Sequence, residues 1–145
     1  MRSAELTQHT VASRDGTEIG YYTTGQGPAV VVLHGSMESA RSHTLFAEAL
    51  ADEFTVYLPD RRGRGLSGPH RPDHNVRTEI EDLEAVLDAA GAQRAFGVSA
   101  GGAVVLEAAR PASVRWYVVR SGYRSSRSVS PAAISPASSS RTIIR

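Results

Sequence analysis

Five consecutive apolar residues, AVVVL at positions 29–33, indicate the fold class of this chain. A strand of this kind has no polar face to turn toward water, so it belongs inside a parallel sheet that helices cover on both sides. Strand-like and helix-like stretches alternate along the rest of the chain, as such a sheet requires. The sequence therefore predicts an α/β fold with a mostly parallel sheet and flanking helices.

Further elements are predicted on both sides of this strand. Before it, two alternating strands meet at Asp15 and Gly16, a favoured hairpin pair. After it comes a helix whose apolar stripe comprises Leu45, Phe46, Ala49 and Leu50. A strand in "FTVYLPD" follows that helix.

The best-defined helix follows a loop rich in glycine and proline. Its stripe comprises Val76, Ile80, Leu83, Leu87 and Ala90, and the acids Glu79, Glu81, Asp82 and Glu84 fall largely off it. Thr78 with Glu81 fits a capping box, although Asn75 can also begin the helix, and Gly91 is a natural end. A strand at 95–98, a turn at Ser99, a helix over about 102–110 and a possible strand at 114–119 complete the pattern.

The turn at Ser99 carries the main chemical signal. Gly97-Val98-Ser99-Ala100-Gly101 matches G-x-S-x-G, the nucleophile elbow that joins a strand to a helix. Side chains two residues before and after the serine would collide in this strained turn, so Gly97 and Gly101 supply the room. Ser99 is therefore predicted to be a catalytic nucleophile rather than an incidental serine in a glycine-rich turn.

His34, Gly35 and Ser36 directly follow the buried strand. Attack by a serine creates a negatively charged oxygen on the substrate, which needs two preorganised N–H donors. We expect the amide after the nucleophile, Ala100, to be one donor and Ser36 to be the other, with Met37 as the next choice. His34 is expected to pack beneath the site rather than to take part in the reaction.

Two further patterns are better explained as loop structure. Residues 63–68 spell G-x-G-x-x-G, but a dinucleotide site needs that motif to open a helix, and here prolines and histidines follow it. His70 and His74 with Asp73 lack a third ligand at a sensible spacing for a metal. No metal and no cofactor are expected.

The charge distribution divides the chain near Pro111. Residues 1–110 hold all 15 acidic residues and 10 of the 16 arginines, whereas residues 111–145 hold six arginines and no acid. No apolar period is sustained from about Ser121 onward, so disorder is expected there. We place one domain at 1–119 and a disordered tail rich in Ser, Arg and Pro at 120–145.

Composition excludes several classes of protein. The chain has no cysteine, so it forms neither a disulfide framework nor a thiolate metal site. Its first ten residues contain no signal-peptide core, and the run at 29–33 is too short to cross a bilayer. The tail arginines lack the aromatic residues of a nucleic-acid site, so we expect a cytoplasmic protein with a small-molecule partner, without nucleic-acid or membrane binding.

These motifs together resemble the α/β-hydrolases. "VVVLHGS" resembles the third strand and oxyanion loop of that family, "YLPDRRGRGLSG" the fourth strand and its loop, and "FGVSAGG" the fifth strand and elbow. The resemblance covers about residues 10–119, the N-terminal half of such a fold. It implies a serine hydrolase in which Ser99 is the nucleophile and the Ser36 and Ala100 amides form the oxyanion hole. Epoxide- and haloalkane-cleaving relatives carry aspartate at this position, so serine points to esters or related acyl substrates.

The catalytic triad of this family continues with an acid and then a histidine after the serine. Here all five histidines precede Ser99, and Glu107 is the only acid that follows it. Without a base, a serine hydroxyl is a poor nucleophile. We therefore expect an incomplete, truncated or frame-disrupted α/β-hydrolase, broken between about Arg110 and Ser121, that is inactive or very weak and prone to aggregate at its bare edge strand.

Two hypotheses from other classes stay open. The chain can be a non-catalytic α/β binding or interaction protein, and rapid, Ser99-dependent labelling by a fluorophosphonate would argue against a purely structural role. It can also be a nucleotide-binding domain built on residues 63–68, which requires thermal stabilisation by a dinucleotide.

Overall fold

The structure, a computed structural model, describes residues 5–109 and the backbone of residues 116–120. The predicted tail, apart from Arg120, lies outside the described residues. The elements of the described part, besides a 3₁₀ turn at Ala40–His43, are β1 (Thr7–Ala12), β2 (Glu18–Gly25), β3 (Ala29–Leu33), α1 (Thr44–Leu50), β4 (Thr55–Pro59), α2 (Val76–Ala90), β5 (Arg94–Val98), α3 (Ala100–Ala108) and β6 (Trp116–Arg120).

The described strands form one mixed sheet in the order β1-β2-β4-β3-β5-β6. β2 pairs antiparallel with β1 and β4, and the other three pairings are parallel, which confirms the mostly parallel sheet. β3 lies between β4 and β5, so the strand order reverses there. In open α/β sheets, ligands bind beyond the carboxyl ends of the strands at such a reversal. The loops after β3 and β5 meet at this edge.

The apolar run of β3 is buried on both faces, as predicted. Val31 and Leu33 pack into a core with α2 and α3, whereas Val30 and Val32 pack into a second core with α1. All four side chains are at most 4% exposed. β3 is thus packed on both faces, and the loop that begins at His34 extends from a rigid strand.

The structure decides between the two possible starts of α2. The Asn75 side chain accepts hydrogen bonds from the N–H groups of Arg77 at 2.8 Å and Thr78 at 3.4 Å, so Asn75 is the N-cap and the capping box of Thr78 with Glu81 is wrong. Gly91 ends the helix at φ 60°, as predicted, and Gly16 has φ 83° in the first hairpin. None of the helices in the described residues is long and apolar enough to cross a membrane.

Two predicted helix faces need correction. In α1, Leu45 is 82% exposed and Ala49 is also exposed, while Ala47 and Leu50 are buried. Ala40, in the 3₁₀ turn before α1, joins the same core as Ala47 and Leu50. In α2, Asp82 is buried although its charge suggested a solvated position, since it forms an ion pair described below. The helix after Ser99 begins at Ala100, two residues earlier than predicted.

Candidate active site

Ser99 lies at the carboxyl end of β5, on the turn into α3. Its backbone has φ 51° and ψ −119°, and it is the one non-glycine residue with positive φ among those that the structure describes. A non-glycine residue in such a region costs about 1–3 kcal/mol and persists only where its surroundings impose it. The Ser99 side chain is exposed, so its hydroxyl is presented to solvent on a strained bend.

Gly97 and Gly101 make this bend possible. A methyl group on Gly97 would lie 2.5 Å from the Cα of Gly102, and one on Gly101 would overlap the carbonyl oxygens of Leu33 and His34. These separations, at Gly97 and at Gly101, are shorter than van der Waals contact. Neither position therefore accepts a side chain unless the backbone moves. The first turn of α3 is therefore pressed against the end of β3.

The loop after β3 lies directly against the serine. A methyl group built on Gly35 would be 3.3 Å from the Cβ of Ser99 and 3.3 Å from the carbonyl oxygen of Val98. Ser36 follows and is exposed, and Met37, the alternative donor, has a side chain that is 97% exposed. Across the described residues, no hydrogen bond uses the N–H of Ser36 or of Ala100. Neither predicted oxyanion donor is thus engaged by another described residue.

His34 is a structural residue beneath this loop, as predicted. Its side chain is completely buried; Nε2 accepts a hydrogen bond from the N–H of Arg61 at 2.9 Å, and Nδ1 donates to the carbonyl of Gly35 at 2.7 Å. Burial lowers the pKa of the imidazole, and the bond to Gly35 opposes this only in part. Because Nε2 must accept, His34 is neutral and cannot take a proton without losing a bond.

Three polar side chains around Gly35 were not identified from the sequence. Arg64 Nη1 donates to the Gly35 carbonyl at 2.9 Å, and the Gly35 N–H donates to Glu38 Oε2 at 2.7 Å. Glu38 Oε2 also lies 3.1 Å from Nε2 of His43. Burial raises the pKa of Glu38, but the bonds to Gly35 and His43 outweigh it and hold that pKa below its usual value. The carboxylate is therefore an acceptor that fixes the loop.

The loop after β4 is built around Asp60. The Asp60 carboxylate accepts the N–H groups of Ala40 at 2.8 Å and Leu66 at 2.9 Å. Gly65, at φ 48°, passes so close to this carboxylate that a methyl group there would overlap it. The next helix begins only at Val76, so the G-x-G-x-x-G pattern closes a loop on an aspartate and does not open a helix.

A buried ion-pair network attaches this loop to α2 and to the first hairpin. The Arg62 side chain is fully buried and makes two hydrogen bonds to Asp82, at 2.7 and 3.0 Å, and two to Asp15, at 2.6 and 3.1 Å. Arg61 pairs in the same way with Glu79, at 2.7 and 2.9 Å. Asp82 lies four residues before Val86, which is also buried, so both are on one face of α2, but neither belongs to the predicted apolar stripe.

The remaining titratable candidates lie away from Ser99 or are already engaged. His74 Nε2 lies 3.1 Å from Glu79, and its ring contacts that of His70 at 4.3 Å between centroids. No group of three or more metal-type ligands occurs among the residues described. Glu107 is on α3, about 12 Å along the helix from Ser99 at 1.5 Å per residue. The site thus combines an exposed serine hydroxyl on a strained bend with two backbone N–H donors nearby.

Comparison with known proteins gives the same assignment. The Alpha/beta hydrolase family matches residues 30–142. The chain is 32% identical over 123 residues to pyrrolizixenacetamide deacetylase of Xenorhabdus hominickii, covering 77% of this chain and 44% of that protein. It is 35% identical over 89 residues to a soluble epoxide hydrolase of a Corynebacterium species, covering 61% of this chain and 31% of that protein.

A solved structure supports the same relationship. The crystal structure of an alpha/beta hydrolase from Sphaerobacter thermophilus superposes with a TM-score of 0.73 and 42% identity, covering 77% of this chain and 44% of the other. The chain spans between 21% and 44% of the length of the curated relatives compared with it. Sheet order, strained bend and sequence similarity lead to one conclusion: this chain belongs to the alpha/beta hydrolase family.

Proposed function

We propose that this chain carries the nucleophile and the oxyanion-binding loops of a serine hydrolase that cleaves ester-type acyl substrates. The observation that carries the proposal is the backbone of Ser99, at φ 51° and ψ −119°. Strain of this kind is concentrated where a side chain must be aimed at a ligand. The N–H groups of Ser36 and Ala100 are the two backbone donors that we assign to the oxyanion hole.

In the proposed reaction, Ser99 Oγ attacks the carbonyl carbon of the ester while the hydroxyl proton passes to solvent water. The negative charge that develops on the carbonyl oxygen is stabilised by the N–H groups of Ser36 and Ala100. Collapse of this intermediate breaks the bond to the alcohol, which leaves with a proton, and forms an ester on Ser99. Water then attacks that ester and releases the acid.

The lack of a proton acceptor beside Ser99 in the described part of the chain limits the activity that we expect. Both ring nitrogens of the buried His34 are occupied by backbone partners. The hydroxyl of Ser99 makes no hydrogen bond to any described residue. In serine hydrolases, loss of the histidine costs roughly 10⁶ in turnover and leaves about 10³–10⁴ over water from binding and the oxyanion hole. We therefore propose that the chain in its given form turns over weakly at most.

The substrate class follows from the nucleophile. A serine oxygen needs an electrophilic carbonyl and an oxyanion site, and the loops around Ser99 offer both amide donors of such a site. One relative is named a deacetylase, which is an acyl-cleaving activity, whereas another is named an epoxide hydrolase. Because the nucleophile position here is serine and not a carboxylate, acyl substrates are the better match.

The test is labelling of the purified chain with a fluorophosphonate, followed by intact mass and peptide mapping. We expect slow, stoichiometric labelling at Ser99 that is absent in Ser99→Ala. Ser36→Ala is the matched control, because it removes a neighbouring hydroxyl but keeps the backbone N–H, and it should label like the wild-type chain. Absence of labelling, or equal labelling of Ser99→Ala, would reject the nucleophile and favour the non-catalytic binding protein.

A further inference from the structure

We infer that Arg64 is a positioning residue for the oxyanion site: it acts through the Gly35–Ser36 peptide group to orient and polarise the N–H of Ser36. The inference rests on the proposed function for its meaning, but not for its geometry. Arg64 lies on the loop after β4 and is partly buried, and its Nη1 donates to the carbonyl oxygen of Gly35 at 2.9 Å. Ser36 itself is not in contact with Arg64 through any hydrogen bond of the described residues.

The peptide group between Gly35 and Ser36 is planar and trans. In a trans peptide, the C=O of one residue and the N–H of the next point in opposite directions within one plane. The carbonyl of Gly35 accepts two hydrogen bonds, from Arg64 Nη1 at 2.9 Å and His34 Nδ1 at 2.7 Å. Two donors on one carbonyl fix its direction, and with it the direction of the Ser36 N–H on the opposite side.

The preceding peptide group, between His34 and Gly35, is also held by a side chain. The N–H of Gly35 donates to Glu38 Oε2 at 2.7 Å, and Glu38 is itself held by His43. Both backbone polar groups of Gly35 are therefore held by side chains. Since glycine otherwise samples many backbone conformations, these bonds supply the order that its own backbone lacks. The loop is preorganised before any ligand arrives.

Arg64 and His34, the two donors to the Gly35 carbonyl, differ in charge. His34 is neutral in this arrangement, whereas an arginine guanidinium is always charged, so its hydrogen bond is the stronger of the two types. A cation at the carbonyl draws electron density along the peptide group and makes the N–H at its other end a better donor. Arg64 thus adds both direction and polarity to the amide that would face the oxyanion.

The experiment measures the rate of fluorophosphonate labelling at Ser99 in the full chain. Removal of an oxyanion donor costs roughly 10²–10³ in rate, so loss of its positioning in Arg64→Ala should slow labelling about tenfold. Arg64→Lys keeps the charge and one donor and should recover part of the rate. Arg77→Ala removes an exposed arginine on α2 that bonds to Glu81 and should leave the rate unchanged. Equal rates for Arg64→Ala and the wild-type chain would overturn the inference.

A second measurement keeps this inference distinct from the proposed function. The ¹H and ¹⁵N chemical shifts of the Ser36 amide report its polarisation without any chemistry at Ser99. They should change in Arg64→Ala and not in Arg77→Ala. If the wild-type chain is not labelled at all, the nucleophile proposal fails, and an unchanged Ser36 amide in Arg64→Ala would then overturn the positioning role as well. If Arg64→Ala does not fold, Arg64→Lys and Arg64→Gln are read by the same two criteria.

Discussion

The guanidinium of Arg62 and the carboxylate of Asp82 form a doubly hydrogen-bonded ion pair inside the protein. Nε lies 3.0 Å from Oδ2 and Nη2 lies 2.7 Å from Oδ1, and the two side chains are 0% and 8% exposed. Ser13 Oγ donates to the same carboxylate at 2.5 Å. The pair joins the loop after β4 to α2, and that loop also carries Arg64, so the frame of the candidate site depends on it.

Asp82→Ala is predicted to destabilise the protein strongly. The change leaves a buried guanidinium with only Asp15 as its partner, and loss of one partner of a buried pair costs about 3–5 kcal/mol. Because Asp15 still neutralises Arg62, we expect a loss at the lower end of this range, about 3 kcal/mol in the free energy of unfolding. Urea unfolding followed by circular dichroism measures it. Glu81→Ala is the control: within the described part of the chain this neighbouring acid pairs with the exposed Arg14 and Arg77, so a loss of about 0–1 kcal/mol is expected. Equal losses for the two variants would contradict the role of the buried pair.

The same network predicts a loss of stability in acid. Hydrogen bonds from Arg62 hold the pKa of Asp15 well below its usual range, and the N–H of Thr17 acts in the same direction. A carboxyl whose pKa is lower in the folded state stabilises the fold above its unfolded pKa, near 4, and loses that contribution as the pH falls toward its folded pKa. The free energy of unfolding should therefore decline below about pH 4.

This decline is measured by urea titrations between pH 7 and pH 2. Asp15→Asn removes one of the depressed carboxyl groups, so its stability should fall less steeply in acid than that of the wild-type chain. A wild-type stability that rises below pH 4, or the same slope in both proteins, would show that Asp15 does not carry the effect.

Gly101→Ala tests the contact between α3 and β3. Alanine is favoured over glycine in a helix by about 1 kcal/mol, but here its methyl group would overlap the carbonyl oxygens of Leu33 and His34. Overpacking costs about 1–3 kcal/mol, so we expect a net destabilisation and a displaced Ser99 turn. In the control Gly91→Ala, nothing lies within 4 Å of the added methyl, and only the cost of the left-handed backbone, about 1 kcal/mol, remains. Stabilisation by Gly101→Ala would mean that α3 does not pack closely against the end of β3.

The sequence predicted the parts of this protein that depend on pattern and backbone. The uninterrupted apolar run of β3 indicated a strand buried on both faces, and the G-x-S-x-G motif indicated the strained bend at Ser99. The polar interior was not predicted, because Arg62 and Asp82 are distant in sequence and charged residues are assigned to the surface when no partner is known. Arg64 and Glu38 were missed for the same reason, since their partner is the backbone of Gly35, which no side-chain pattern records.

Ser99→Gly is predicted to stabilise the protein relative to Ser99→Ala. Both variants remove the hydroxyl and should not react with a fluorophosphonate, so the comparison isolates the backbone. Alanine must adopt the same strained φ of 51° as serine, at about 1–3 kcal/mol, whereas glycine reaches positive φ without a steric cost. Glycine also loses more conformational entropy on folding, about 0.5–1 kcal/mol, so the net advantage expected in urea unfolding is about 1 kcal/mol. A less stable Ser99→Gly would mean that the bend carries no strain, and the main physical argument for a nucleophile at this position would be lost.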